Sequence, residues 1–145
     1  MITSIQYVAS VHILLRIISV PDTRVTNEKL ASDTNLSYEQ IRKIIRKLKA
    51  SNILSFKNGT GKISLARPAS EITLWDIYNS IEAENIEEQQ KFTNEISHSI
   101  LGENEKKVLN KNFLETINIL KEKLSSKTLQ DIKEEIDIKN NQIAF

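Results

Sequence analysis

In residues 36–67, LSYEQIRKIIRKLKASNILSFKNGTGKISLAR, a helix pattern runs directly into a hairpin pattern, and no other stretch limits the fold so tightly. Ser37 followed by Gln40 fits a capping box, in which the hydroxyl meets an orphan backbone N–H and the glutamine reaches back. Ile41, Ile44, Ile45 and Leu48 then recur at i, i+3, i+4 and i+7, one apolar stripe that must pack inward. The opposite face carries Glu39, Arg42, Lys43 and Arg46, flanked by Tyr38 and Lys49 on one side and Gln40 and Lys47 on the other. Two β-prone runs, 53–57 and 62–67, enclose Asn58-Gly59-Thr60-Gly61, and Asn-Gly is the strongest short-range hairpin signal. Pro68 ends the second run, because it has no N–H with which to continue a ladder. A helix over 38–50 followed by such a hairpin predicts a winged helix-turn-helix.

Charge sharpens that expectation. Residues 36–67 hold eight basic side chains against Glu39 alone, a local charge of +7, although the whole chain carries only +1. Arg and Lys near a helix N-terminus can address guanine O6 and N7 in a major groove, and Glu can accept from cytosine N4. In the hairpin, the two turn glycines admit close approach to a phosphate, and Lys57, Lys62 and Arg67 supply counter-charge. Residues 68–105 are strongly acidic, with nine carboxylates against Lys91 alone, which would confine a polyanion to one face of the molecule. The plainer alternatives are a solvated helix face and a surface hairpin whose lysines protect its edges.

Other chemistry has little to work with. The chain has no cysteine, which excludes disulfides and thiolate-held zinc or iron–sulfur clusters, and only His12 and His98 supply imidazole. HExxH, GxSxG, Walker A and GxGxxG patterns are all missing, so no enzyme and no cofactor are expected. No apolar run is long enough to span a membrane. Residues 2–20 lack the basic region and cleavage site of a signal peptide, so a cytoplasmic location is expected. A length of 145 residues predicts one domain, or one small domain plus an oligomerisation element.

Residues 4–19 read as a helix ending before Pro21, with Ile5, Val8, Val11, Leu14, Leu15, Ile17 and Ile18 spread over more than one face. A partner subunit would cover the second face, and His12 reads as structural or partly exposed. A turn at 21–24 leads to a second helix over 28–34, capped by Thr26 or Asn27, and residues 35–37 form the turn of a helix-turn-helix. After the hairpin, Thr73 and Asp76 form a second capping box, opening a helix whose inner face is Leu74, Ile77, Tyr78 and Ile81. Trp75 reads as packing against a neighbouring helix, with ligand stacking as the alternative. Residues 82–104 are acidic and Gln/Asn-rich, a loop or a weak helix broken at Gly102, and the best candidate for effector sensing. From 103 to about 124 a helix of about 30 Å follows. Leu109, Phe113, Ile117, Leu120 and Leu124 make a nearly coiled-coil seam along it, with too little domain left to pack on. A C2 dimer is the economical reading. Ser125 or Ser126 is expected to cap a last helix through about Asp137, followed by a tail over 140–145.

The segments IRKIIRKLKASNIL and NGTGKISLARPASEITLWDIYNSIE closely resemble bacterial transcription regulators of the Rrf-two type (Rrf2), the family of IscR, NsrR and CymR. Leu65-Ala66-Arg67-Pro68 and Ile72-Thr73-Leu74-Trp75-Asp76-Ile77 match family elements directly, and Thr128-Leu129-Gln130-Asp131-Ile132 matches a later one more weakly. Two departures stand out. The family's wing usually has adjacent glycines, whereas here Gly61 precedes Lys62; and cluster-binding members carry three cysteines before the dimer helix, where this chain has none. The resemblance implies the cysteine-free branch, without iron or nitric oxide sensing through a cluster, and His98 alone makes a poor metal site.

The expected fold is therefore mainly α with a small β-hairpin wing, a winged helix-turn-helix plus a long C-terminal dimerisation helix. Its expected parts are a DNA-binding domain over 1–82, an acidic linker and sensing loop over 83–102, and dimerisation and C-terminal helices over 103–145. The expected function is a homodimeric, sequence-specific regulator of transcription, a repressor at a near-palindromic site on double-stranded DNA, answering to a small-molecule effector. Glu39, Arg42, Lys43 and Arg46 are the expected base contacts; Ser37, Tyr38, Lys47, Lys57, Asn58, Thr60 and Lys62 the expected phosphate contacts. The alternatives are a winged-helix module binding an acidic protein, and a small-molecule sensor without DNA binding of its own.

Overall fold

Isoleucine and leucine side chains drawn from nearly every element make the core, with Ile13, Leu14, Leu30, Ile41, Ile44, Leu48, Ile53, Leu54, Ile72, Ile77, Ile81 and Leu129 fully buried. The computed structural model describes residues 4–19, 25–56, 62–95 and 102–143. Among these the order is α1 (Ile5–Ser19), α2 (Asn27–Thr34), α3 (Tyr38–Ala50), β1 (Leu54–Phe56), β2 (Ile63–Leu65), a 3-10 turn (Ala69–Glu71), α4 (Leu74–Glu95), α5 (Glu103–Ser125) and α6 (Leu129–Ile143). The mainly helical winged architecture is as expected.

Helix α1 is the central post. It packs against α2, α3, α4, α6 and β2, which is why its apolar residues cover more than one face. The second face, expected to await a partner, is largely covered by the chain itself; Ile5 and Val8 remain 74% and 47% exposed. Ser4 receives the Tyr7 N–H at 3.1 Å and so caps the helix, while its hydroxyl donates to the Glu82 carboxylate.

The two turns around α3 use asparagine rather than glycine. Asn35, closing α2, and Asn52, following α3, sit at φ of 59° and 58°, the left-handed region that Asn tolerates better than most residues. Thr26 caps α2 by accepting from Lys29 N–H at 3.2 Å. After Asn52 the chain turns sharply, Ile53 N–H bonding Leu48 O at 3.0 Å, and enters β1. The strands pair antiparallel with Leu54 opposite Leu65, Ser55 opposite Ser64 and Phe56 opposite Ile63. The expected 21–24 turn and the tip at 57–61 lie outside the described residues.

One alternative is resolved and three sequence expectations need correction. Of the loop and the weak helix, residues 82–95 take the helix, as a continuation of α4, and α4 and α5 then run antiparallel. Lys121 of α5 lies 5.9 Å from the Trp75 ring near the start of α4, and Asn110 bonds Asn94 at its far end at 2.9 Å. The long helix thus does find packing within its own chain. Second, α6 is capped by Thr128 rather than by Ser125 or Ser126, and third, it runs on to Ile143. Asp131 N–H bonds the Thr128 hydroxyl at 3.1 Å and Thr128 N–H bonds the Asp131 carboxylate at 2.9 Å, the same box that Thr73 and Asp76 form at the start of α4. The two boxes meet: Leu74 N–H bonds Lys127 O at 3.0 Å and Leu129 N–H bonds Ile72 O at 2.8 Å. This clasp seats Leu129 in the main core. No described helix is long and apolar enough to cross a membrane.

Candidate nucleic-acid interface

Helix α3 is held from beneath and free above. Its capping box forms as expected, Gln40 N–H bonding the Ser37 hydroxyl at 3.2 Å and Ser37 N–H bonding the Gln40 side-chain oxygen at 3.0 Å. Ile41, Ile44, Ile45 and Leu48 are all buried, so the helix cannot roll without breaking the core. Glu39, Arg42, Lys43 and Arg46 are exposed and border one shallow depression together with Lys49 and Phe56. The four residues read as base contacts are therefore brought together on one solvent face.

The positions read as phosphate contacts fare differently. Ser37 and Tyr38 are exposed at the start of the helix, with the Arg42 guanidinium 5.9 Å from the Tyr38 ring centre. Lys47 is half-buried and donates to the Ile81 carbonyl at 3.0 Å, so it ties α3 to α4. Lys62 is half-buried at the base of the hairpin. Lys57, Asn58 and Thr60 fall outside the described residues, as does His98. Arg67, counted in the basic field, donates to the Glu71 carbonyl and to Asp76 at 3.2 Å; it locks the exit of the hairpin and is already neutralised.

Two contacts were missed by reading the sequence. Lys49 lies 4.7 Å from the Phe56 ring, joining the end of α3 to the wing. Ser80 donates to Lys47 O at 2.9 Å and receives the Ser51 hydroxyl at 2.7 Å, a polar seam between α3 and α4. Only the first had a local signal, an aromatic residue on the strand following the basic helix. The exposed carboxylates Glu84, Glu87, Glu88 and Glu95 lie on α4 beyond that seam. Trp75 stacks on Tyr78 at 5.7 Å and packs against the core, in keeping with a structural role.

The seam residues of α5 are divided. Leu120 and Leu124 pack against the chain's own core, and Phe113, Ile117 and Leu120 border a groove facing α4. Leu109 is half-buried. Val108, Phe113, Leu114 and Ile119 are 59%, 50%, 49% and 69% exposed, and no residue of this helix is buried.

A family model described as Rrf2, iron-dependent transcriptional regulator, matches residues 3–135. No curated protein matches the chain by sequence. Among solved structures, the global cysteine regulator CymR of B. subtilis is 20% identical with a TM-score of 0.63, covering 91% of this chain and 95% of that one. IscR of T. potens is 18% identical with a TM-score of 0.61, covering 92% and 86%. A Lactobacillus plantarum protein, provisionally named a transcriptional regulator, is 18% identical with a TM-score of 0.72, covering 97% and 98%. The iron of the family description does not fit the residues present. The chain has no thiolate donor, and no group of three His, Cys, Asp or Glu among the described residues is placed to hold a metal. On the strength of a match that spans nearly its whole length, the chain belongs to the Rrf2 family, DNA-binding transcription regulators rather than enzymes.

Proposed function

We propose that this regulator is a homodimeric repressor that lays α3 of each subunit into the major groove of a near-palindromic site. One observation carries the reading: the apolar stripe of α3 is entirely buried while Arg42, Lys43 and Arg46 stand exposed together on its outer face. A rigidly seated helix with a basic outer face can be offered to a polyanion without reorganisation. Glu39, Arg42, Lys43 and Arg46 are assigned to base edges. Ser37, Tyr38, Lys47, Lys57, Asn58, Thr60 and Lys62 are assigned to the backbone, the hairpin tip lying along the flanking phosphates or minor groove. Lys47 must release Ile81 O to serve in this way.

Dimerisation is assigned to α5. A helix of 23 residues with none buried has apolar surface to cover. The exposed Val108, Leu114 and Ile119, with Leu109 beside them, supply a contact that a two-fold axis makes self-complementary, while Phe113 and Ile117 turn toward the groove beside α4. Repression is the simplest output, since occupying DNA excludes other proteins without any further contact. The segment 83–102 is proposed as the region that senses an effector.

Selection from a random DNA library tests the proposal. Enrichment of a two-fold symmetric sequence with half-sites about one helical turn apart, near 34 Å, is expected. No enrichment, or enrichment of a single unsymmetric site, contradicts the dimeric reading.

A further inference from the structure

Helices α4 and α5 do not close on each other along their whole length, and between them lies an open groove of about 830 Å³. That is within the range of roughly 300–1,000 Å³ usual for small-molecule sites. Most of its surface is apolar, with Tyr78 and Ile86 from α4 facing Phe113, Ile117 and Leu120 from α5, and neutral polar side chains such as Gln89 and Thr93 interrupt it. The charged side chains that line it are both carboxylates, Glu82 and Glu88, with no lysine, arginine or histidine among the described lining residues.

Glu82 is the residue that gives the groove its character. It is only 8% exposed, its Oε1 accepting from the Ser4 hydroxyl and its Oε2 from the Asn85 side-chain amide at 2.8 Å. Among the described residues no cation forms an ion pair with it. A carboxylate withdrawn from water favours a cation beside it, and both of its described donors, Ser4 and Asn85, are neutral. Its field reaches into the groove: burial first, and then the charge of Glu82, hold the Tyr78 hydroxyl above the ordinary phenol range.

We propose that this groove binds a small amphipathic cation, its ammonium or amidinium head against Glu82 and its apolar body between α4 and α5. A buried carboxylate with no paired cation among the described residues, facing largely apolar walls, is complementary to that chemistry and not to an anion. The site also has a short route to the DNA-reading helix. The turn of α4 that carries Glu82 bonds the end of α3 through Ile81 O to Lys47 at 3.0 Å and through the Ser80 hydroxyl to Lys47 O at 2.9 Å. A ligand that draws on Glu82 acts on the same turn that positions α3, and the coupling is reciprocal between ligand and DNA. The coupling rests on the DNA-reading proposal, whereas the site does not.

Calorimetric titration of the full chain with phenethylammonium, phenethyl alcohol and phenylpropionate tests the site, with fluorescence of the single tryptophan, Trp75, as a second readout because it stacks on Tyr78. Binding of the ammonium at least about tenfold tighter than either analogue is expected, with a change in Trp75 emission. Glu82→Gln should weaken it by about tenfold, and Gln89→Phe, an exposed change at the groove edge, should weaken it without disturbing Glu82. Equal affinity for all three compounds, or an unchanged affinity in both variants, overturns the proposal. Failure to bind at any protein concentration also overturns it, and leaves a second copy of the chain as the occupant. If the ammonium binds as expected but its affinity is the same with and without operator DNA, the coupling falls and the site stands. If no DNA is bound at all, the regulator reading fails while the titration still judges the site.

Discussion

Helices α3 and α5 are both amphipathic, yet they solve opposite problems. In α3, four of 13 residues are buried and every apolar anchor is satisfied within the chain; in α5, 23 residues bury none. Helix α3 is left with charge to offer and α5 with apolar surface. The first suits a polyanion, whose attraction is long-ranged and needs no hydrophobic contact. The second suits another protein, where contact area is what stabilises. On the proposed reading, one small chain divides DNA reading and assembly between two helices.

The largest effect expected from breaking this comparison is in the core. Ile44→Ala, beneath α3, should cost about 2–5 kcal/mol in denaturant unfolding, whereas Leu114→Ala on α5 should cost the folded chain little. Similar losses at both positions would remove the distinction. Arg46→Ala should weaken binding to the preferred site by about 1–3 kcal/mol while leaving the thermal midpoint unchanged. An unchanged affinity would strike Arg46 from the reading set. On α5, Ile119→Asp should shift self-association by about tenfold or more in sedimentation equilibrium, with intact helical circular dichroism. A variant that dimerises as well as the parent would move the interface elsewhere. Ser37→Ala, removing half of the capping box, should destabilise by about 1 kcal/mol, and a larger DNA effect than stability effect would reveal a phosphate contact as well.

The smallest effect concerns acid. The Thr128 N–H and hydroxyl hold the Asp131 carboxyl below its ordinary range. A carboxylate whose folded pKa is depressed contributes stability above its unfolded value and loses it as pH falls through the folded one. Amide exchange at the start of α6 should therefore quicken only in strongly acidic solution. Exchange that quickens near neutrality would mean that another group controls the clasp.

The elements legible in the sequence are the ones fixed by neighbours in the chain. The α3 stripe, its Ser37–Gln40 box and the Thr73–Asp76 box each lie within one or two helical turns. Thr128–Asp131 repeats the Thr-Leu-x-Asp pattern of Thr73–Asp76, so the α6 cap was readable too, but the adjacent serines obscured it. The sequence leaves 82–95 open between loop and weak helix because apolar anchors are sparse there, although Glu, Gln and Lys favour helix on their own. Charge counting gives no sign that Asp76 and Ile81 hold Arg67 and Lys47, because those partners belong to a different element. The groove depends on Ser4 meeting Glu82, 78 positions apart, a pairing that no local pattern announces.

The central claim is that the outer face of α3 reads DNA sequence. Fluorescence anisotropy of the pure protein on DNA from upstream of its own gene, with scrambled DNA as competitor and across a range of salt, tests it most directly. Binding that survives the competitor and weakens steeply with salt, the mark of phosphate contacts releasing counterions, is the predicted result. Equal displacement by the scrambled competitor would reduce α3 to a basic surface, and no binding at low salt would contradict the account.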